Sequence, residues 1–573
     1  MSLRNWTSAL SDLRILILVS LLSSQSSTVS ATIPVPPDPI LQRLSVLDTN
    51  EIVAVGPYRL PPQERLGKSS WHPYYQRATG YAGAVPMVHG VHSFSGLQSE
   101  YSQAHAILNA NRRDASIWQS DEAKLQLLQA FHTMAHSGIY DDFAHRYQML
   151  HELYQSQHWA QFEYIATDSL LLYASYLEQL SEKGRTWLFH QEPIIRIAPP
   201  SQGMIRELQI ALQQDIALWL KRQQPGSVQY HKLVHAMNQL DLSPSQFQVP
   251  EYPGVIRYGR QLTPEISEAL VGALGLQESA PERYNAVLVS AVEAFQARHG
   301  LKVDGVIGPN TWQWLFISNR KRYQLLALNA ERARLWPAGQ DNLLLVNIPA
   351  YQLDLWLNQE HVLASKVIVG RPSRQTPIFD SRINTLVVNP AWNVPRSIQQ
   401  KDILPKAQLD PSYLLMNHYQ IIDGWRHDSP EIAVHTIDWT TVTPKSFRYR
   451  LRQRPGSWNA LGKYKFSMPN TSAIYLHDTN AKGLFEKSQR ALSSGCIRVE
   501  QADALAVALL THSGYRDTSM ARYFEQTETK YLPVHQQIPT YAIYQTAWVD
   551  EQGEVQFRDD IYHFDSPKPT PQG

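Results

Sequence analysis

The sequence predicts a multidomain α+β protein: a largely helical N-terminal region, then a small helical unit, then a mostly β domain. Three observations carry this. Before residue 250, apolar residues recur at three- and four-residue spacing, as in "AKLQLLQAFHTMAHSGI" and "TDSLLLYASYLEQLSEKG" (Thr167 to Gly184), which is the helical period. From Leu343 the period shortens to two, beginning with "LLLVNIPAYQLDLWL". The length of 573 residues and 43% hydrophobic content suffice for two to four domains with ordinary cores. Lys plus Arg number 52 against 51 for Asp plus Glu, so no net field draws the chain to nucleic acid or to an anionic membrane surface.

In chain order, residues 1–31 read as an export signal. Arg4 and Arg14 precede the apolar run Ile15 to Leu22, and Val29-Ser30-Ala31 is a small-residue cleavage pattern. The run is far short of the roughly 20 residues that span a bilayer, which favours a cleaved signal over an uncleaved inner-membrane anchor. Residues 32–250 form the helical region, whose His and Trp residues show no metal-ligand spacing. Residues 258–318 form the small unit. Its first helix lies in "TPEISEALVGALGL", with Thr263 as N-cap and Glu265 in the first turn, and "YNAVLVSAVEAFQARHGLKVDGVIGPNTWQWL" supplies two more helices about a Gly- and Pro-bearing turn.

The β domain is placed at 340–525. "HVLASKVIVGRPSRQTPIFD" continues its alternation, with turns at Gly370 and Thr376-Pro377. Between about 399 and 455 the pattern loosens, which reads as a subdomain or a lid. Residues 526–573 are read as a hairpin turning at Asp550 to Gly553, then a polar tail, "SPKPTPQG".

Cys496 is the only cysteine in the chain. It cannot form an internal disulfide, so it is a small buried hydrophobe, a stray thiol or a nucleophile. In "AIYLHDT", Ile474 and Leu476 face one side of a strand, Tyr475 and His477 the other. Eighteen residues separate His477 from Cys496, which sits in "SSGC", a small turn able to present N–H groups to an oxyanion. "ADALAVALL" follows as a helix with Leu505 and Leu509 on one face. A thiol becomes a nucleophile beside a base, and His is the usual one.

With "HDT" and "SSGCIRV" in place, the chain resembles the L,D-transpeptidases of bacterial cell walls. "NPAWNVPRSI" (Asn389 to Ile398) and "RPGSWNALGKYKFSMPN" (Arg454 to Asn470) are similar to segments of the large periplasmic members of Gram-negative bacteria. Ser494 stands where the commonest family motif has His, but the large subfamily carries Ser there. "FQARHGLKVDGVIGPNTW" is similar to the three-helix peptidoglycan-binding domain. The resemblance implies a mostly β catalytic domain with a capping subdomain, and a scaffold domain upstream. It implies Cys496 as nucleophile and His477 as base, with Gly495, Ser494, Tyr475, Arg498 and Trp392 at the oxyanion and substrate positions. Arg498 either binds a substrate carboxylate or pairs with an acidic neighbour.

The implied reaction is a 3→3 cross-link between stem peptides, formed through a thioester with release of D-alanine from a tetrapeptide. Neither cofactor nor metal is called for. The implied partners are stem peptides, glycan strands and other wall-synthesis enzymes, for a periplasmic monomer that carbapenems acylate. Two other readings stand beside it: a cysteine hydrolase of L,D-carboxypeptidase type, and a non-catalytic wall-binding scaffold.

Overall fold

The computed structural model describes residues 87–88, 91–92, 101–109, 116–240, 242, 249–336, 339–426 and 428–566. The expected export signal and the last seven positions of the polar tail lie outside the described residues.

The N-terminal region is helical: α1 Ser102–Asn109, α2 Asp121–Ser137, α3 Asp141–Gln155, α4 Trp159–Trp187, α5 Gln202–Gln214, α6 Ile216–Arg222 and α7 Val228–Gln239. Ser120 caps α2 by accepting from Ala123 N–H, and Gly138 ends it in the left-handed conformation. The small unit follows as α8 Pro264–Leu274, α9 Ala286–Arg298 and α10 Pro309–Leu315. Thr263 caps α8 through Ile266 N–H, as its sequence predicts. A further helix, α11 Asn319–Arg332, packs against α2, α7 and the C-terminal hairpin.

The β domain contributes β1 Leu343–Asn347, β2 Gln352–Leu357, β3 Glu360–Gly370 and β4 Phe379–Val388. Next come β5 Trp392–Asn393, α12 Leu404–Leu409, α13 Ser412–Met416, β6 Tyr419–Ile422, β7 Glu431–Ile432 and β8 Arg450–Gln453. Last are β9 Tyr464–Ser467, β10 Leu476–His477, β11 Ala491–Ser493, β12 Ile497–Val499, α14 Ala502–His512, α15 Asp517–Phe524, β13 Lys530–Ile543, β14 Ala547–Val549 and β15 Val555–Phe557.

Nine of these strands form one sheet in the order β11-β3-β12-β10-β9-β4-β13-β1-β2, and β2 also pairs with β3, so the order returns to its start. The cap is a separate four-stranded sheet, β5-β8-β6-β7, with its own core of Ile403, Leu404, Ile421, Phe447 and Leu451. It begins at Trp392, earlier than the sequence suggests, because β5 pairs with β8 across the cap. β13 corrects the sequence reading more substantially. It lies inside the main sheet between β4 and β1, so the catalytic sheet extends past residue 525 to Ile543. The expected hairpin is present as β14 and β15.

Candidate active site

Three neighbouring strands build the site. Parallel pairing of β10 with β12 sets Leu476 beside Ile497 and His477 beside Arg498. Antiparallel pairing of β9 with β10 sets Lys465 beside His477 and Phe466 beside Leu476. Side chains alternate along a strand, so two faces follow. Ile497, Leu476, Phe466 and Leu386 form one row, fully buried on the core side, where Leu505 and Leu509 of α14 are buried too. The opposite face carries the row Arg498, His477, Lys465. One step along it the same register brings Cys496 beside Tyr475, and Ile497 N–H donates to Tyr475 O at 3.2 Å. Burying the four apolar side chains contributes about 1.5–3 kcal/mol each, which fixes which face the polar set occupies.

His477 is buried, and its Nδ1 meets the Asp478 carbonyl. A carbonyl only accepts, so Nδ1 carries the proton and Nε2 is left as the free base. Burial lowers the imidazole to about 3, with Arg498 and Lys465 adding to the shift and the Asp478 carbonyl opposing it. Cys496 is half-buried, and burial pushes its thiol up from the ordinary value. The Tyr475 backbone and hydroxyl, Lys465 and Arg498 pull it back in part. At rest the thiol and the imidazole on this face are therefore both neutral.

Tyr475 lies beside the sulfur, and the Trp392 side chain of the cap reaches its hydroxyl. Sequence reasoning thus places Cys496, His477, Tyr475, Arg498 and Trp392 in a set that the fold brings together. Two expected positions differ. The Gly495 N–H is not free for an oxyanion, because it donates to Ser493 Oγ at 3.1 Å, and that hydroxyl donates to Cys496 O at 2.6 Å. Gly495 serves the backbone instead: its φ of +116° lies where side chains are strained. Ser494 accepts from Arg371 Nη2 at 3.0 Å and Arg374 Nη1 at 2.9 Å, and is held as an anchor for the turn. Arg374 continues to Asp402 of the cap, so one guanidinium joins the cap to the turn that bears Cys496.

Sequence reasoning missed Lys465, Arg371 and Arg374. Lys465 is half-buried, with its ammonium 4.3 Å from the Tyr475 ring centroid, and burial lowers its pKa. Among the described residues, no carboxylate pairs with Lys465, Arg371 or Arg498. Lys465 and Arg498, without counter-ions among the described residues, thus act on the thiol, while Arg371 holds the turn through Ser493 O and Ser494 Oγ. Only the register of β9 on β10 reveals the lysine, since "KYKFS" reads in sequence as an ordinary strand. Among the described residues no group of three or more His, Cys, Asp or Glu is arranged to hold a metal ion.

Comparison with known proteins agrees with this architecture. Residues 341–516 match the family described as "L,D-transpeptidase catalytic domain", residues 268–315 the "Putative peptidoglycan binding domain", and residues 108–237 a "Scaffold domain". The chain therefore carries an L,D-transpeptidase catalytic domain and a peptidoglycan-binding domain beside a helical scaffold. Among individual relatives, a Haemophilus influenzae protein named "Putative L,D-transpeptidase" is 41% identical over 242 residues, covering 42% of this chain and 48% of that protein. The chain spans about half the length of this curated relative. A crystal structure of an L,D-transpeptidase (residues 123–326) from Xylanimonas cellulosilytica aligns over 52% of this chain and 99% of that one, at 14% identity and a TM-score of 0.16.

Proposed function

We propose that this chain is a peptidoglycan L,D-transpeptidase that forms 3→3 cross-links through a thioester on Cys496, outside the cytoplasmic membrane after export. The observation that carries the reading is the single sheet face on which Cys496, His477, Tyr475 and the unpaired cations stand together. His477 Nε2 takes the Sγ proton as sulfur attacks the carbonyl of the third residue of a stem tetrapeptide. The Cys496 N–H and the Tyr475 hydroxyl face the developing oxyanion. The tetrahedral adduct collapses, the imidazolium returns its proton to the leaving amine, and D-alanine departs. The side-chain amine of a second stem then attacks the thioester and gives up a proton to His477, and the thiol is restored.

The cations suit this donor. A stem tetrapeptide is rich in carboxylates, and a half-buried guanidinium and ammonium without acidic partners form charge-assisted hydrogen bonds with them. This favours the substrate-binding reading of Arg498 over the ion-pair reading.

The test is competition between matched tetrapeptide and pentapeptide donors, with products separated by mass. The expected result is consumption of the tetrapeptide, one D-alanine released per acyl-enzyme, and 3→3 links. In a pocket shaped for cleavage after an L-centre, the carbonyl between the two D-residues of a pentapeptide lies about an ångström or more out of line, a misplacement that costs on the order of a hundredfold. Cys496→Ala should yield no product. Preferential use of the pentapeptide with 4→3 links would overturn the reading, and release of free tripeptide without links would indicate the hydrolase.

A further inference from the structure

The chain beyond residue 516 lies outside the matched catalytic domain, yet its end reaches the back of the nucleophile turn. Tyr562 is 3% exposed. Its hydroxyl donates to Gly370 O at 2.6 Å and accepts from Thr376 N–H at 3.0 Å. Thr376 Oγ1 accepts from Gly370 N–H at 2.8 Å and donates to Gly495 O at 2.7 Å. The strap between these groups is closed tightly enough that a Cβ on Gly370 would lie 2.6 Å from Thr376 N. Two buried hydroxyls in series therefore join Tyr562 to the carbonyl one residue before the nucleophile.

That carbonyl belongs to the same planar peptide unit as the Cys496 N–H. Holding the oxygen sets the direction of the N–H on the far side of the plane. Since the Gly495 N–H is engaged by Ser493, the backbone donor that this turn offers next to the sulfur is the N–H of Cys496 itself. A hydrogen bond on the carbonyl also polarises the amide and strengthens that N–H as a donor.

The other end of the strut is fixed to the scaffold. Tyr562 N–H donates to Tyr544 OH at 2.8 Å, and the two rings stack with centroids 5.5 Å apart. Phe564 packs on Phe189, just after α4 of the helical region, with centroids 6.0 Å apart. Arg332 of α11 donates to Phe564 O at 2.7 Å, to Asp565 Oδ1 at 2.6 Å and to Leu188 O at 2.9 Å. A guanidinium bound on three sides in a buried site holds this segment in one place.

We infer that Tyr562 is a positioning residue for acyl transfer: through Thr376 it sets the plane of the Gly495–Cys496 peptide, and it ties the nucleophile turn to the scaffold. This builds on the reading of Cys496 as an acyl-transfer nucleophile, but not on the choice of stem peptide.

The experiment compares two reactions of Cys496 in the full chain. Acylation by a p-nitrophenyl ester passes through an oxyanion, whereas alkylation by iodoacetamide does not. Tyr562→Phe and Thr376→Val should each lower the acylation rate by about tenfold or more, given that losing a whole oxyanion donor costs about 10²–10³. Alkylation should stay within about twofold of the parent. Thr376→Ser keeps the hydroxyl and should restore most of the acylation rate. The double variant Tyr562→Phe/Thr376→Val should be no slower than Thr376→Val alone, because both changes break one chain. Equal losses in acylation and alkylation would reduce Tyr562 to general packing. Unchanged acylation in Tyr562→Phe, or additive losses in the double variant, would also overturn the inference. None of these outcomes depends on whether tetrapeptide proves to be the donor, so the two readings fail separately.

Discussion

Cys496 and His477 stand on one sheet face as neutral groups, and this bears on how the proposed activation of the thiol proceeds. A preformed thiolate–imidazolium pair needs an imidazole that holds its proton near neutral pH, but burial, Arg498 and Lys465 depress His477 to about 3. Burial also raises the thiol. In the proposed reaction proton transfer therefore accompanies attack, and a bound carboxylate that neutralises Arg498 or Lys465 makes the imidazolium easier to form. Iodoacetamide reacts with thiolate, so its rate should climb through pH 7 and 8 with a midpoint above that of an ordinary thiol. Lys465→Met removes a cation that favours thiolate, so it should move the midpoint higher still. A midpoint near 6 in the parent would show an ion pair at rest. Of the proposed site, the sequence makes Cys496 and His477 legible as candidates, because a lone thiol on a Gly turn and a His on an alternating strand are local signals. Lys465 is not legible, because its place beside His477 is set by pairing between strands, and that no carboxylate among the described residues pairs with Arg498 shows only in the fold.

At the scale of the element, the strand bearing His477 is only two residues long, and its position depends on a side chain just outside it. Asn470 Oδ1 accepts the Ile474 N–H at 2.9 Å, while its Nδ2 donates to Ile474 O at 2.7 Å and to Met468 O at 3.1 Å. Ala473 between them takes a φ of +53°, a left-handed turn that leads the chain into β10. Beyond His477 the strand ends because the Asp478 carboxylate turns back to accept the Lys463 N–H at 2.8 Å and pairs with Lys482 at 2.5 Å. Alternation in "AIYLHDT" reveals the faces correctly but not these ends, since side chain to backbone bonds leave no periodic trace. The long strand β13 is hidden for another reason. Pro533 and Pro539 break its pattern, the pairing shifts between Pro533 and Ile538, and its partners lie far upstream. Asn470→Ala removes three hydrogen bonds around one residue of the strand's approach. It should lower stability by about 1–3 kcal/mol and slow acylation of Cys496 about tenfold, as read by urea unfolding and by single-turnover kinetics. A variant with parental acylation would show that β10 is held by its neighbours alone.

The whole molecule joins parts that the sequence presents as separate. The helical module at 258–318 looks detachable, since it carries its own cap, turn and motif. In the fold it has no closed core of its own. Phe295, Ile307 and Leu315 share one cluster with Tyr230 of α7, Leu326 of α11 and Phe557 of β15. Polar contacts follow the same seam. Trp314 Nε1 donates to Asp559 Oδ1 at 2.7 Å, Arg322 Nη2 donates to Trp314 O at 2.8 Å, and Arg558 Nη1 donates to Arg298 O at 2.7 Å. The module thus packs against the segment that leads to Tyr562 and the nucleophile turn. Excising residues 260–318 and closing the gap with a flexible linker would uncover the far side of that cluster. Each large apolar side chain exposed costs about 1.5–3 kcal/mol, so losing several approaches the whole stability of a domain, about 5–15 kcal/mol. The excised chain should therefore unfold at a lower temperature without a single cooperative transition, and acylation of Cys496 should fall along with attachment to wall sacculi. Scanning calorimetry and acylation by a carbapenem, measured on the same sample, would decide it: a cooperative transition at the parental temperature with parental acylation would mean that the shared core is a contact between independent domains and not a joint foundation.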